Sequence, residues 1–306
     1  VAFLGKKGRL TAASAGMKDL SREEKPVAGQ LLNAARGAIT ESLEAKKTAL
    51  QDEADRAALD GLDLTLPGRP LHPGNLHPLT QLKDRALGIL RRLGFALAEG
   101  PEIETEFHCF DALNTPPEHP ARNEKDTFYF DSGKLLRTHT STVQIRTMQT
   151  EAPPVRIVAP GSAYRRDEID ATHLSVFNQL EGLYVDTDVQ VGDLKGALEF
   201  FYRAMFGEET EVRFRPHFFP FTEPSFEVDL KGPNLGKLSD RWIEIMGCGM
   251  VDPEVLRLVD LDPAEWTGFA FGLGIERVAM ILHGIDDIRH FYQNDQRFLA
   301  QFSSGS

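Results

Sequence analysis

The sequence predicts an α+β domain, an antiparallel sheet flanked by helices, preceded by a helical arm. Three observations carry this. Past Gly100-Pro101, strand-like segments dominate and follow one another as hairpin neighbours. Residues 22–59 carry a single narrow apolar stripe with charged flanks. Residues 60–76 between them are rich in Pro and Gly, which marks a domain boundary.

The arm comes first. Ser21 is placed to cap a helix, with Glu24 completing a capping box and Pro26 tolerable in the first turn. Val27, Leu31, Ala35, Ile39, Leu43, Leu50 and Ala54 then recur at steps of mostly three to four, interrupted near Lys46-Lys47, as in a coiled-coil seam. Such a stripe needs a partner helix. None follows, so the partner is expected upstream of Val1, with Gly5-Lys-Lys-Gly8 as the connecting turn. The chain also lacks an initiator Met and is expected to begin inside a longer protein. The arm is therefore assigned to 1–60, the linker to 61–76 and the main domain to 77–302. Ser303-Ser-Gly-Ser306 is expected to be an appended tail.

The main domain opens with an amphipathic helix, Gln81 to Leu93, closed by Gly94. Strands are expected at 127–131, 135–137, 155–158, 179–185, 211–215, 225–230, 241–246 and 268–273. Helices are expected at 141–149, 193–206, 275–283 and 286–299.

Composition excludes several classes. Hydrophobic residues at 41% and charged residues at 26% describe a globular chain rather than a disordered one. No apolar run reaches the roughly 18 residues of a membrane span, and no signal peptide is visible, so a cytoplasmic protein is expected. Two cysteines are too few for a disulfide framework or a four-ligand zinc site. The net charge is −12, against the basic character of proteins that grip nucleic acid unaided. Residues 1–60 hold 10 Lys and Arg against 9 Asp and Glu, while the remainder holds 24 against 37. Attraction for a polyanion would fall to the arm or to a partner chain. The 20 Phe, against 5 Tyr and 2 Trp, imply buried rings in a core or pocket.

Four segments could carry chemistry. In Arg137-Thr-His-Thr-Ser-Thr-Val-Gln144 a strand runs into a helix start crowded with hydroxyls. Helix capping suffices to explain them, yet His139, Ser141 and Gln144 also suit a ligand carboxylate or phosphate. The charged tip Tyr164-Arg-Arg-Asp-Glu-Ile-Asp170 reads first as a solvated loop. The strand after it, however, puts Phe177, Gln179, Glu181 and Leu183 on one face by alternation. Gln and Glu on an apolar face need a partner, and a ligand amine is one. Phe219 and Phe221, in Arg215-Pro-His-Phe-Phe-Pro-Phe-Thr-Glu-Pro224, would make either a core loop or a slot for a flat aromatic group. In Thr267-Gly-Phe-Ala-Phe-Gly-Leu-Gly-Ile-Glu-Arg277, strand glycines Gly272 and Gly274 signal a close approach, and Arg277 could meet a phosphate. The third glycine of a dinucleotide loop is absent, so that reading is set aside.

These residues resemble a known family. The segment around Arg165 is similar to motif 2 of class II aminoacyl-tRNA synthetases, and Phe269–Arg277 to motif 3. Phe110-Asp-Ala-Leu-Asn114, Arg137-Thr-His-Thr-Ser141, Gln179-Leu-Glu-Gly182, Phe219-Pro-Phe-Thr-Glu-Pro224 and Gly247-Cys-Gly-Met-Val251 narrow the resemblance to the catalytic α subunits of the bacterial phenylalanine–tRNA ligases. It implies a class II fold with a coiled-coil arm that touches tRNA(Phe), and an α2β2 assembly. It implies ATP-dependent activation of L-phenylalanine and transfer to tRNA, with Mg2+ and with no membrane. His139, Ser141, Gln179 and Glu181 would hold the amino and carboxylate groups, with Gln144 beside them. Phe219 and Phe221 would wall the ring pocket over a floor of Ala270 and Gly272. Arg165, His173 and Arg277 would bind ATP and act in catalysis, Phe177 would stack on adenine, and Glu223 would share a magnesium ion with the β subunit. Where motif 2 usually carries Glu, two residues after its arginine, this chain has the shorter Asp167. An apolar pocket rejects an added hydroxyl only about 100-fold, so editing of tyrosine is expected in the β subunit. The runner-up is a paralogue that makes an adenylate or amide from another amino acid; a non-catalytic homologue would be expected to lack the phosphate arginines that this chain retains.

Overall fold

A computed structural model of the chain describes residues 2–60, 62–63, 65, 68 and 74–302. Most of the expected linker, and the expected tail at 303–306, lie outside the described residues. The chain divides into two units, Val1–Pro73 and Gly74–Ser306.

In the first unit the turn at Gly5-Lys-Lys-Gly8 leads into a short helix α1 (Arg9–Gly16) rather than directly into the long one. The long helix α2 (Glu24–Leu59) runs for 36 residues, about 54 Å at 1.5 Å per residue. It starts two residues later than expected. Half of the capping box is present, because the Ser21 N–H donates to Glu24 Oε2 at 3.0 Å. Pro26 stands third in the helix, where its missing N–H leaves no gap in the ladder. No residue of α2 is buried. Val27 and Leu31 of the stripe are 60% and 66% exposed, so among the described residues the seam has no full-length partner.

The second unit opens with α3 (Pro78–Arg92), whose N-cap His77 accepts the Leu79 N–H. It ends at Gly94, which takes the left-handed φ of +85° that glycine tolerates best. β1 (Ala96–Leu97), β2 (Ile103–Glu104), α4 (Glu106–Cys109), β3 (Leu135–Leu136) and α5 (Ser141–Thr150) follow. The main strands are β4 (Val155–Tyr164), β5 (Val176–Asp186), β6 (Glu211–Phe219), β7 (Thr222–Lys231), β8 (Ile243–Val251) and β9 (Thr267–Gly274). Between and after them lie α6 (Val191–Phe206), α7 (Pro253–Arg257), α8 (Ile275–His283) and α9 (Gln296–Leu299).

Seven strands form one sheet in the order β1-β4-β5-β9-β8-β7-β6. Every pairing is antiparallel except β1 with β4, so the sheet is mixed rather than wholly antiparallel. The parallel edge is two residues long, too short to show any periodicity. One face carries the larger core, where Leu90 of α3, Leu198 and Tyr202 of α6 and Val278 of α8 meet Phe269, Phe271 and Leu273 of β9. The other face carries a smaller aliphatic cluster under α5 and α7. Two expected elements dissolve. Segment 127–131 supplies only a single bridge, Tyr129 to Leu135. The expected helix at 286–299 is broken into a 3-10 turn (Ile288–Phe291) and α9, because Asn294 is left-handed at φ +53° and Asp287 and Asp295 each cap a new start.

Candidate active site

A cavity of about 330 Å³ opens on the face of the sheet that carries the aliphatic cluster. Its floor is hollowed by glycine. The strand register lines up Glu181, Gly272 and Gly247 across β5, β9 and β8. A Cβ at Gly272 would stand 2.9 Å from Glu181 Cγ, and one at Gly247 would stand 2.6 Å from the Phe219 ring. The absent side chains leave the depth, and Ala270 adds only a methyl group to the floor. Phe219 and Phe221 form one wall, nearly parallel at 14° with centroids 5.8 Å apart. The apolar end is lined by Leu113, Ile145, Met148, Leu183, Val251 and Val255.

Strand alternation is realised: Gln179, Glu181 and Leu183 all line the cavity. Glu181 is buried, and the start of α5 serves it. It accepts the Thr140 N–H at 3.2 Å, Gln144 Nε2–H at 3.1 Å and the Ser141 hydroxyl in a very short bond. Burial raises the Glu181 pKa, while the donors from Ser141 and Thr140 and the charge of Arg165 oppose the rise. The hydroxyls at this helix start do not act as caps. Thr140 makes no side-chain cap bond, and its hydroxyl is buried without a partner. Two further polar atoms in the chamber are orphaned, His139 Nδ1 and Gln179 Oε1. Leaving such atoms unpaired costs about 1–3 kcal/mol each, which a polar ligand would recover. Burial, aided by the charge of Arg165, pulls the His139 pKa down to about 3, so the ring is neutral and can accept or donate a hydrogen bond.

Arg165 leaves the end of β4 and reaches the chamber. Its Nε donates to Thr138 O at 3.2 Å, and its guanidinium lies 5.0 Å from the centroid of the Phe177 ring. Burial lowers its pKa, and Asp167 and Glu181 counter that. The remaining expected residues do not converge on the cavity. His173 is 59% exposed by side chain and pairs with Asp170 at 3.1 Å. Arg277 is exposed, its Nε donating to Glu244 O at 3.0 Å. Asp167 is exposed and lines a neighbouring cleft with Arg165. Glu223 is exposed in a third cleft beside Asn114 and Asp252. Among the described residues no three His, Cys, Asp or Glu gather as metal ligands. Glu223 alone does not make a metal site.

The family of class II tRNA synthetase core domains (F) matches residues 61–302, and the class II aminoacyl-tRNA synthetase N-terminal domain matches residues 1–59. The phenylalanine–tRNA ligase α subunit of Edwardsiella ictaluri (strain 93-146) is 51% identical over 304 residues, covering 99% of this chain and 91% of the relative. That of Pseudomonas fluorescens (strain SBW25) is 50% identical over 311 residues with the same coverage. The chain belongs to the phenylalanine–tRNA ligase α subunits. The solved pyrrolysyl-tRNA synthetase from Desulfitobacterium hafniense shares the fold at TM-score 0.55, with 18% identity over 84% of each chain.

Against that family, three groups escaped the sequence reading. Thr140 serves Glu181 through its backbone, which no side-chain pattern announces. Val255 lies on α7, five residues long, and Met148 on the far turn of α5. Arg137 is buried and structural: it donates to Ser162 O at 2.7 Å and to Gly100 O at 3.2 Å. A Cβ at Gly161 would collide with its guanidinium at 2.2 Å.

Proposed function

We propose that this chain, as the catalytic α subunit of a phenylalanine–tRNA ligase, joins L-phenylalanine to tRNA(Phe) at the expense of ATP. The observation that carries the reading is the junction of the buried Glu181 and its three donors with an apolar slot walled by Phe219 and Phe221. Glu181 meets the ammonium group of the substrate. His139 Nδ1 and Gln179 Oε1 supply the remaining polar contacts, and Ser141 and Gln144 fix the carboxylate of Glu181. The ring enters the slot over Ala270 and Gly272, where offset contact with two aromatic faces favours a flat side chain.

In the first step the substrate carboxylate oxygen bonds to the α-phosphorus of ATP and pyrophosphate leaves. In the second, the oxygen of a terminal tRNA hydroxyl bonds to the acyl carbon, AMP leaves, and the hydroxyl proton passes to solvent. Arg165 stands where negative charge grows, with its charge held in a dry setting that strengthens the effect. His173, Asp167 and Arg277 are assigned to ATP and Phe177 to its adenine, which requires the 166–175 loop to draw in when the nucleotide arrives. Glu223 would be one carboxylate ligand of a Mg2+ ion shared with a β subunit, and the ion would supply positive charge against the phosphates of ATP. Residues 1–60 are assigned to a tRNA-touching coiled-coil arm and 77–302 to catalysis. No helix among the described residues is long and apolar enough to cross a membrane, and the reading places the enzyme in the cytoplasm, where translation runs.

The test is amino-acid-dependent exchange of pyrophosphate into ATP, with each standard amino acid, with and without a β subunit. Exchange with phenylalanine that needs β supports substrate, reaction and partner together. Exchange with another amino acid alone would refute the pocket assignment.

A further inference from the structure

A second buried carboxylate lies outside the amino-acid chamber. Glu276 is 1% exposed. It accepts the Asn178 backbone N–H at 2.8 and 3.0 Å, Asn178 Nδ2–H at 2.8 Å and the Tyr292 hydroxyl at 2.5 Å. Asn178 Nδ2 also donates to the Tyr292 oxygen at 3.1 Å. No Lys or Arg is among these partners, so the carboxylate depends on neutral donors, and each lost donor is expensive.

The position of this cluster in the chain gives it leverage. Asn178 sits between Phe177 and Gln179 on β5, and Glu276 immediately precedes Arg277 on α8. The segment that delivers Tyr292 also reaches the far side of the 166–175 loop. The Ile288 N–H donates to Ala171 O at 2.9 Å, two residues before His173. Ile288 and Phe291 anchor that segment in the core, and Phe291 O meets His77 Nε2 at 2.8 Å. Residues 288–292 therefore grip the nucleotide end of the site in two places, the loop at Ala171 and the strand at Asn178.

We propose that Tyr292 is a positioning residue for nucleotide binding. Through Glu276 and Asn178 it sets the backbone that presents Phe177 and Arg277, and its segment braces the loop that carries His173. Burial of the phenol and the adjacent Glu276 carboxylate push the Tyr292 pKa well above its ordinary value, so it remains a donor throughout the working pH range. The proposal rests on the assignment of Phe177, His173 and Arg277 to ATP.

The test is Tyr292→Phe, which removes one hydroxyl and keeps the ring, in the intact chain assembled with its β subunit. Loss of a hydrogen bond to a buried charge predicts a rise of about tenfold in the KM for ATP in pyrophosphate exchange. The KM for phenylalanine stays at its wild-type value, while the melting temperature falls a little because a buried carboxylate loses one donor. Trypsin cuts faster after Arg165 or Arg166 in the unliganded assembly. In a Glu276→Gln background the same change adds little, because both act on one contact. An unchanged KM for ATP overturns the proposal, and so does an equal rise in both KM values. If the wild-type assembly activates no amino acid, the functional reading fails by itself. The cleavage rates then decide the brace: faster cutting of Tyr292→Phe upholds it and equal cutting refutes it.

Discussion

At the proposed amino-acid end of the site, Glu181 is held by three donors from the N-cap and first turn of α5, and its cavity is cut into the sheet. At the proposed nucleotide end, His173 and Arg277 are exposed and occupied by a carboxylate and a carbonyl of their own chain. At the first end the Glu181 carboxylate is fully placed before any ligand arrives, because strand register and a helix start fix its donors. The second depends on a loop whose tip, Asp170 to His173, makes most of its hydrogen bonds to itself. Preorganisation spares the cost of ordering groups at binding, so amino-acid selection should be insensitive to loop changes and nucleotide binding should respond to them.

The largest test of this contrast is Arg165→Ala, since Arg165 lines both the chamber and the neighbouring cleft that Asp167 lines. Loss of a preorganised cation at growing charge is expected to cost about 10²–10³ in kcat. A loss confined to the KM for ATP would move Arg165 wholly to the nucleotide end. Next is Glu181→Gln, expected to lower kcat/KM for phenylalanine about 100-fold while leaving the KM for ATP near wild type. Parallel loss in both substrates would erase the distinction between the ends. Ala270→Gly should widen the slot floor and raise exchange with para-substituted phenylalanines about tenfold, the value of one methylene-sized contact; unchanged exchange rates would refute the floor assignment.

The smallest effect is on pH. Burial raises the Glu181 pKa above the ordinary 4.5, so in the interval up to its folded value the native protein binds a proton that the unfolded chain has released. The stability this group contributes is present below 4.5 and declines as pH rises through the folded value. Ammonium binding runs the other way, because only the ionised carboxylate attracts it. The KM for phenylalanine should therefore rise a few-fold as pH falls into that interval, and Glu181→Gln should flatten both trends. A KM that improves on acidification would exclude Glu181 as the ammonium partner. His139, with its pKa near 3, should add no inflection between pH 5 and 8.

The sequence revealed the sheet-borne half of the site better than the rest, for a physical reason. A strand writes its faces into the chain at a period of two, so Gln179, Glu181 and Leu183 could be grouped from their spacing alone. Gly272 and Gly274 of β9 were equally visible as sites of close approach, whereas Gly247 of β8 fell just past the strand expected at 241–246. What Glu181 would meet was not legible, because Ser141 and Gln144 lie some forty residues earlier and hydroxyls at a helix start ordinarily cap it. The elements missed in the second unit, β1, β2, α4 and α7, are two to five residues long and complete less than two turns or pleats. The expected helix at 286–299 failed for the opposite reason. Its apolar spacing suited a helix, but two aspartate caps and a left-handed Asn294 divide it.

The residues at the apolar end of the cavity, Leu113, Ile145, Met148, Leu183, Val251 and Val255, are also members of the smaller buried cluster. The chamber is thus an unfinished part of the hydrophobic interior. An incoming aromatic side chain would complete that interior much as a residue of the chain would, and would be released again with each turnover. Substrate supply and thermal endurance are coupled in such an arrangement: by mass action, the melting temperature should climb with phenylalanine concentration even when no ATP is present.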